Sequence, residues 1–434
     1  MTPRQRTIFV LLTVAGVVAR VILTLVADNK MLTPWRVGGD APYYVRLAST
    51  VFQGMGYTYG HQPTAFRPPL YPFFLAGMMT VFGTYFAEAT RFLQCAVGLV
   101  TVWLCGAMAA RFFGGGAGRM TLLLALCFPA LSIFPTELIT ECFATFLTAA
   151  FFWLALENPH VSEGRTALCL GLVVGFAALL RPNMAIFGPI AVWIMVGKRK
   201  PRTIWLNVGV LALVAGAIVA PWVIRNEVVF HGQALFSTQG GYNALQGVLT
   251  PQGRVQEGDD ETLRKAGVWE RRNLETNGPQ RLILPSEPEL DRRAWQLTQG
   301  IWREKTWRLI PLLVAKLGYF WLSTDQLSSV NSFPWRSRVT RGAGVVLYWI
   351  LLGLAIVGWI QLRQHRPGVA KFLIAYAVLI TAAHLPFIMT SRHRIPFAEP
   401  LLVVLGGAGC VRLWKHLRMQ LPSNLDSEVE ARAN

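Results

Sequence analysis

Acidic residues are scarce in this chain, and charged residues of either sign are few. Of its 434 residues 15% are charged and 53% are hydrophobic, with 23 Asp and Glu against 41 Lys and Arg. A soluble chain of this length would need more polar surface to cover its core. The apolar residues also occur in runs of about 20, the length of a helix that crosses a hydrocarbon layer of roughly 30 Å. These features predict a multi-span membrane protein.

The formal net charge of +18 does not indicate nucleic-acid binding, because of where the basic residues lie. Many form short clusters between apolar runs, such as GKRKPR at 197–202 and RQHRP at 363–367. Such clusters are typical of cytoplasmic loops in membrane proteins. Most of the remaining basic residues lie in one long loop, so we expect membrane lipids and no nucleic acid among the partners.

The cysteines show no metal-ligand spacing, and the N-terminal pattern does not predict a cleavable leader. All six cysteines fall inside apolar stretches without metal-ligand spacing, so we read them as small buried side chains. Arg4 and Arg6 precede about 20 apolar residues without a small-x-small cleavage site, a pattern that indicates an uncleaved signal anchor. No cofactor and no metal site are predicted. Binding of a divalent metal ion is left as an open alternative.

The apolar runs predict ten spans. With the N-terminus in the cytoplasm, every short basic loop falls on the cytoplasmic side, and so does the C-terminus. The predicted spans are Thr7–Ala27, Glu88–Arg111, Met120–Pro135, Glu137–Leu156, Ala167–Arg181, Asn183–Gly197, Thr203–Ile224, Ala343–Leu362, Val369–Met389 and Ile395–Leu413.

Two further apolar segments are predicted to lie at the outer face without crossing. The segment 66–83 is rich in proline and short, and the segment 307–323 is interrupted by Lys316. The chain then divides into three parts. These are an N-terminal bundle (1–225) with an outer loop at 28–87, an exoplasmic cap with interfacial helices (226–341), and C-terminal spans with a short cytoplasmic tail (342–434). The fold and role of the loop 248–302 stay open.

Asp40 is the candidate catalytic residue of the first outer loop. It follows two glycines and opens a segment with helical spacing of apolar residues, and Pro42 stands in its first turn. That placement suits a helix N-cap. An aspartate with its usual pKa near 4 is also ionised at neutral pH, so it can act as a general base toward a hydroxyl or amine. The two roles can coexist.

Arginines at the predicted outer face form a second group, comprising Arg67, Arg181, Arg225, Arg392 and Arg394. A guanidinium binds phosphate at two points and stabilises the charge of a departing phosphate. Arginines at the ends of spans can also simply reach for water. For Arg392 and Arg394 phosphate binding is favoured, because RHR stands directly before a span, on a face where positive charge is normally depleted.

Other residues near the outer face have two open interpretations each. His393 suits an interfacial hydrogen bond better than catalysis. Glu137 and Glu141 share a helical face and either contact sugar hydroxyls or, as we favour, neutralise the arginines. Tyr43 and Tyr44 either stack on sugars or belong to an aromatic belt.

The order of several patches resembles the GT-C superfamily of glycosyltransferases. Within that superfamily the chain resembles the bacterial branch around the dolichyl-phosphate-mannose protein mannosyltransferases and the lipid A aminoarabinose transferase. The resemblance covers nearly the whole chain except 248–302. Its patches are GGDAPYYVRLA, FRPPLYP, PTELITECFATF, GFAALLRPN, PWVIRNEVVFHGQALFSTQGGYNALQG and SRHRIPFAEPLLVVLGG.

The resemblance implies an all-α GT-C-like bundle of about ten transmembrane helices with exoplasmic loops and juxtamembrane helices. It assigns the catalytic base to Asp40 and phosphate binding to the segment of Arg392 and Arg394, with Arg67 as a further candidate. Many relatives carry a second acid directly after the aspartate, whereas Ala41 and Pro42 stand here. This departure gives no support to a metal bridged by two carboxylates.

The predicted function is transfer of a hexosyl or pentosyl group from a polyprenyl-phosphate donor, and the resemblance implies that the transfer is inverting. The acceptor is a glycolipid, a glycan or a protein on the periplasmic face of a bacterial inner membrane. Two alternatives remain at this stage. One is a transporter or flippase for a lipid-linked anion, which would also need outer arginines, and the other is a ligase that moves a whole glycan.

Overall fold

The computed structural model describes residues 3–27, 40–60, 62–156, 163–196, 201–249, 286–304, 306–323 and 338–420. The predicted outer loop is therefore described from residue 40 onward, except for residue 61. Residues 250–285, 305 and 324–337 of the predicted cap lie outside the described part, and so does the tail 421–434. The described residues are almost entirely helical, with one two-stranded antiparallel sheet that pairs Thr58 with Pro63.

The helices of the N-terminal half range from 5 to 30 residues in length. Its elements are α1 (Pro3–Val26), α2 (Asp40–Phe52), β1 (Thr58–Tyr59), β2 (Gln62–Pro63), α3 (Leu70–Phe82), α4 (Phe86–Phe113), α5 (Gly115–Cys127), α6 (Pro129–Ile133), α7 (Glu141–Ala155), α8 (Glu163–Leu180), α9 (Phe187–Val196) and α10 (Pro201–Phe230). Short 3-10 turns occur at Gly83–Tyr85, Phe134–Thr136 and Pro182–Ile186.

The elements of the C-terminal half are α11 (Gly240–Leu249), α12 (Glu287–Glu304), α13 (Thr306–Trp321), α14 (Arg338–His365), α15 (Pro367–His384) and α16 (Ser391–Gln420). In the described C-terminal half the two longest helices are α14, with 28 residues, and α16, with 30 residues.

The all-α, multi-span prediction is confirmed, although helix length alone gives fewer than ten crossings. Within the described residues seven helical stretches are long and apolar enough to span a membrane, and eight if the pair α5–α6, bent by 64°, counts as one. The predicted spans Glu137–Leu156 and Asn183–Gly197 coincide with shorter apolar helices, Glu141–Ala155 and Pro182–Val196. At 1.5 Å per residue a 15-residue helix is shorter than the hydrocarbon layer of roughly 30 Å.

The two segments predicted to lie at the interface are also helical. Residues 66–83 contain α3, which is followed by Gly83, where φ is +55° and the backbone leaves the right-handed helical region. The stretch from Leu70 to Phe113 is 44 residues long, more than one crossing needs, so a break at this glycine is consistent with a separate α3. Residues 307–323 overlap α13. Their position relative to the bilayer stays a prediction.

The bundle brings several helix ends together on one side. Asp40 and Glu141 are the first residues of α2 and α7, Arg392 is the second residue of α16, and Arg181 directly follows α8. Large apolar side chains face outward elsewhere, for example Leu11 at 62% and Leu213 at 74% exposure. Such exposure suits contact with lipid tails and leaves the polar helix ends as the place to look for a site.

Candidate active site

Asp40 lies between two arginines that are far from it in the sequence. Its Oδ1 accepts a hydrogen bond from Nη2 of Arg67, and its Oδ2 lies 2.6 Å from Nη2 of Arg392. About a quarter of the Asp40 side chain is exposed (23%), so the carboxylate can be reached from outside the cluster. The residue expected to act as base and two of the arginines expected to bind phosphate thus meet in one place.

Arg392 joins this carboxylate to a second one. Its Nε lies 2.5 Å from Oε1 of Glu141, and the same oxygen accepts a hydrogen bond from Nη2 of Arg181 at 3.2 Å. The Glu141 side chain is fully buried (0% exposed), a position that is tolerable for a carboxylate because two guanidinium groups neutralise it. Of the two roles considered for Glu141, this geometry matches the neutralisation of arginines.

The charges around Asp40 determine its protonation. Burial alone would raise the pKa of the Asp40 carboxyl, but the positive charges of Arg67 and Arg392 and the hydrogen bond from Arg392 outweigh that effect. The pKa of Asp40 is therefore held well below its usual range. A carboxylate bound in this way is fully ionised at neutral pH and a weak base, so its basicity depends on what its arginine partners bind.

Unused hydrogen-bond donors point to an anion in this cluster. Nε of Arg67 and Nη1 of Arg181 are buried and have no hydrogen-bond partner among the described residues. Buried guanidinium N–H groups normally have acceptors, because an unmatched donor costs free energy. A phosphate offers several oxygens in the geometry that guanidinium groups favour. The arginines around Asp40 and Glu141 thus have N–H groups available to bind an anionic group.

Arg394 lies elsewhere, although the sequence pairs it with Arg392. Its Nη2 lies 2.8 Å from Oε1 of Glu399, its Nη1 donates to the carbonyl oxygen of Phe320 at 2.6 Å, and it packs 4.1 Å from the ring centre of Tyr348. The side chain is 1% exposed. Because α16 begins at Ser391, residues 392 and 394 point away from each other around the helix. The structure thus brings Arg392 to Asp40 and places Arg394 in a separate buried ion pair.

Aromatic side chains support Arg67. Its guanidinium lies 5.6 Å from the ring centre of Tyr43 and 5.5 Å from that of Tyr44. Tyr44 is 4% exposed and packs edge-on against Tyr71, whereas Tyr43 stacks on Tyr59 with ring centres 4.5 Å apart. Cation–π contacts of this kind orient an arginine without occupying its N–H donors.

Three other sequence candidates make hydrogen bonds outside the carboxylate cluster. Arg225 donates to the backbone carbonyls of Tyr57 at 3.0 Å and Thr64 at 2.9 Å, so it fixes the outer loop. The backbone carbonyl of Glu137 accepts a hydrogen bond from Gln94 at 2.7 Å. Nδ1 of His393 lies 2.9 Å from Oγ1 of Thr390, a local contact that fits the interfacial hydrogen bond considered above.

One further side chain reaches the cluster without having been a candidate. Oε1 of Gln239 accepts a hydrogen bond from Nη1 of Arg67 at 3.3 Å. Gln239 stands in the patch FSTQGG, which the resemblance covers, but nothing in the local pattern distinguishes it from neighbouring polar residues. Among the described residues no group of three or more His, Cys, Asp or Glu side chains could hold a metal ion.

Comparison with solved structures identifies the class of fold. The oligosaccharyltransferase of Archaeoglobus fulgidus in its apo form aligns over 99% of this chain and 53% of its own, with a TM-score of 0.54 and 14% identity. The oligosaccharyltransferase AglB from the same organism, in complex with an inhibitory peptide and a dolichol-phosphate, aligns over 95% and 52%, with a TM-score of 0.50 and 13% identity. ArnT from Cupriavidus metallidurans bound to undecaprenyl phosphate aligns over 95% and 79%, with a TM-score of 0.41 and 17% identity.

The chain therefore has the fold of the GT-C membrane glycosyltransferases, and the resemblance seen in the sequence is confirmed at that level. Within this class, residues 66–224 match the family of dolichyl-phosphate-mannose-protein mannosyltransferases. The matched part contains Arg67, Glu141 and Arg181, whereas Asp40 and Arg392 lie outside it. The chain spans about half the length of the archaeal oligosaccharyltransferase. A comparison with curated protein sequences gave no match.

Proposed function

We propose that this protein transfers a hexosyl or pentosyl group from a polyprenyl-phosphate donor to a glycolipid, glycan or protein, with inversion at the anomeric carbon. The reaction takes place on the periplasmic face of a bacterial inner membrane, with both termini in the cytoplasm. The observation that carries the proposal is the convergence of Arg67 and Arg392 on the two oxygens of Asp40. This arrangement places a candidate base beside two groups suited to a leaving phosphate.

A related fold supports the choice of donor. The archaeal oligosaccharyltransferase AglB has been solved with a dolichol-phosphate and an inhibitory peptide, and its fold is similar to that of this chain. A phosphate on a long isoprenoid chain lies at the headgroup level of a membrane. Helix ends with buried, partly unmatched arginine donors are suited to bind a phosphate at that level.

Donor binding activates the base. A donor phosphate accepts hydrogen bonds from Nη2 of Arg392 and from Arg67, and both groups then leave Asp40. Nε of Arg392 keeps its contact with Glu141, which holds the guanidinium in place. Asp40 loses neighbouring positive charge, its pKa rises toward the usual range, and it becomes a better proton acceptor.

The transfer step then follows from these positions. Asp40 takes the proton from a hydroxyl or amine of the acceptor, and the oxygen or nitrogen forms a bond to the anomeric carbon. The bond between that carbon and the phosphate oxygen breaks on the opposite face, and polyprenyl phosphate leaves with one additional negative charge. Arg392 and Arg67 stabilise that charge, and Arg181 can assist through its unmatched Nη1.

Removal of the gene tests the proposal in cells. Mass spectrometry of envelope lipids, glycans and proteins should reveal the loss of one sugar modification and accumulation of the unmodified acceptor. Wild-type protein supplied in trans should restore the modification, whereas Asp40→Asn at equal abundance should not. An unchanged envelope, or full restoration by Asp40→Asn, contradicts the proposal.

A further inference from the structure

Glu287 connects the cap to the outer loop that carries Arg67. It is the first residue of α12, and its Oε1 accepts a hydrogen bond from Oγ1 of Thr64 at 2.7 Å. Its Oε2 accepts one from the backbone N–H of Ala65 at 2.9 Å and another from Oγ1 of Thr238 at 2.9 Å. One carboxylate thus binds two separate segments, residues 64–65 and residue 238.

The segment 237–239 extends this connection to Arg67. The N–H of Thr238 donates to the carbonyl oxygen of Ala65 at 3.1 Å, and Oγ of Ser237 donates to that of Phe66 at 3.1 Å. Gln239 then accepts a hydrogen bond from Arg67 at 3.3 Å. The backbone directly before Arg67 is therefore held on one side by Glu287 and on the other by the segment that Glu287 also binds.

We propose that Glu287 is a positioning residue for Arg67, and through it for the donor phosphate. The inference rests on the proposed function, because it assumes that Arg67 binds that phosphate. Glu287 lies in the segment 248–302 that the family resemblance does not cover, and outside the matched residues 66–224. The cap therefore contributes to the donor site through this contact.

A carboxylate is needed for these contacts. Three donors converge on its two oxygens, and an amide supplies one acceptor oxygen and an NH₂ group that cannot accept. The N-terminus of α12 also favours a negative charge at this position. Glu287→Gln keeps the size of the side chain but leaves one of the donating groups facing another donor. The loop before Arg67 should therefore be held less firmly.

Glu289→Gln is a matched control on the same helix. Glu289 is 28% exposed and pairs with Arg292 and Arg293 of its own helix, at 2.7 Å and 2.9 Å. Glu289→Gln replaces a carboxylate with an amide, as Glu287→Gln does, but at a side chain that pairs within its own helix. Exposed pairs of this kind contribute little to stability.

The measurement is the affinity of purified full-length variants for undecaprenyl phosphate in detergent, together with their thermal unfolding. We expect Glu287→Gln to weaken binding about tenfold and Glu289→Gln to leave it unchanged. In an Arg67→Gln background Glu287→Gln should add no further loss, because its effect passes through Arg67.

The outcomes separate this role from the proposed function. If Glu287→Gln lowers the unfolding temperature and leaves the affinity unchanged, Glu287 is a purely structural contact and the inference is overturned. The inference is also overturned if the losses of affinity from Arg67→Gln and Glu287→Gln add fully in the double variant. Wild-type protein that does not bind undecaprenyl phosphate overturns the proposed function and this role with it. Wild-type binding that Arg67→Gln weakens and Glu287→Gln leaves intact overturns this role alone.

Discussion

Arg392 and Arg394 stand two positions apart and have different surroundings. Arg392 bridges Asp40 and Glu141 and keeps 21% of its side chain exposed. Arg394 pairs with Glu399, and its side chain is 1% exposed. An arginine that releases a carboxylate in order to bind a substrate phosphate must be accessible to that substrate. The accessible arginine therefore suits phosphate binding, and the buried one suits support of the helix.

Lysine substitutions separate these two roles. Lysine keeps the positive charge but loses the planar fork that binds phosphate at two points. Arg392→Lys should lower the affinity for undecaprenyl phosphate by about tenfold or more, roughly 1.4 kcal/mol, with little change in thermal stability. Arg394→Lys should lower the unfolding temperature and leave the affinity of the folded protein near wild type. Equal loss of affinity in both variants would contradict this division.

At the scale of residues, the sequence predicted which side chains belong to the candidate site better than it predicted the contacts between them. Asp40, Arg67 and Arg392 were all candidates, and all three meet in the structure. The contact of Arg392 with Glu141 joins residues 251 positions apart, which local spacing cannot reveal. The separation of Arg392 from Arg394 depends on helix α16 starting at Ser391, before both residues, whereas the span was predicted to begin at Ile395.

At the scale of elements, one predicted span is broken. The span Met120–Pro135 corresponds to α5 and α6, which meet at an angle of 64°. The break follows from Pro129, because the residue before a proline is forced out of the helical region, and Phe128 has ψ at 120°. Near this break Nη2 of Arg20 donates to the carbonyl oxygen of Ala125 at 2.7 Å. Hydropathy averages over such a break, so it predicted the location of the span but not its bend.

The contact between α14 and α16 depends on glycines. A Cβ atom at Gly358 would overlap the carbonyl oxygen of Leu405, and one at Gly409 would overlap that of Leu354. Small residues of this kind let two helices approach closely inside a membrane. Since α16 carries Arg392 at its start, this contact helps to hold the site.

A pair of alanine substitutions tests the contact. Gly358→Ala should destabilise the protein by about 1–3 kcal/mol, because the backbone of α16 must shift to make room. Gly353 lies on the same helix, and a Cβ atom added there would meet nothing within 4 Å, so Gly353→Ala should be neutral or slightly stabilising. Thermal unfolding of both variants in the same detergent is the measurement. Equal stability would mean that α14 and α16 do not pack as described.

At the scale of the whole molecule, charged side chains lie at both ends of the bundle, and the acidic residues of the candidate site lie at one of them. Arg111 donates to the carbonyl oxygen of Leu156 at 2.7 Å, and Arg412 to the side chain of Gln364 at 2.9 Å. These residues lie at helix ends that the sequence assigns to the cytoplasm. Asp40, Glu141 and Arg392 lie at helix ends that it assigns to the outer face. The basic loops predicted which helix ends share a side of the membrane, because the orientation of a membrane protein depends on the positive charge of whole loops. Single contacts between side chains are not needed for that prediction.

Labelling with an impermeant thiol reagent tests the orientation in intact cells. In a variant without the six native cysteines, Gln53→Cys should react from outside and Gly368→Cys should react only after the membrane is opened. Both positions are exposed in the structure, so burial would not explain a lack of reaction. Labelling of Gly368→Cys alone in intact cells would place Asp40 on the cytoplasmic side.

Release of polyprenyl phosphate by the detergent-solubilised protein tests the central claim most directly. Purified wild-type protein, given membrane-extracted polyprenyl-phosphate sugars and acceptors, should release polyprenyl phosphate that mass spectrometry can quantify. Asp40→Asn should bind undecaprenyl phosphate at least as tightly, because its arginines lose a competing carboxylate, yet release should fall by a factor of about 10² to 10⁴. Release by Asp40→Asn at the wild-type rate would contradict the role of Asp40. No release by wild-type protein, together with movement of the donor across sealed vesicles, would make the protein a flippase.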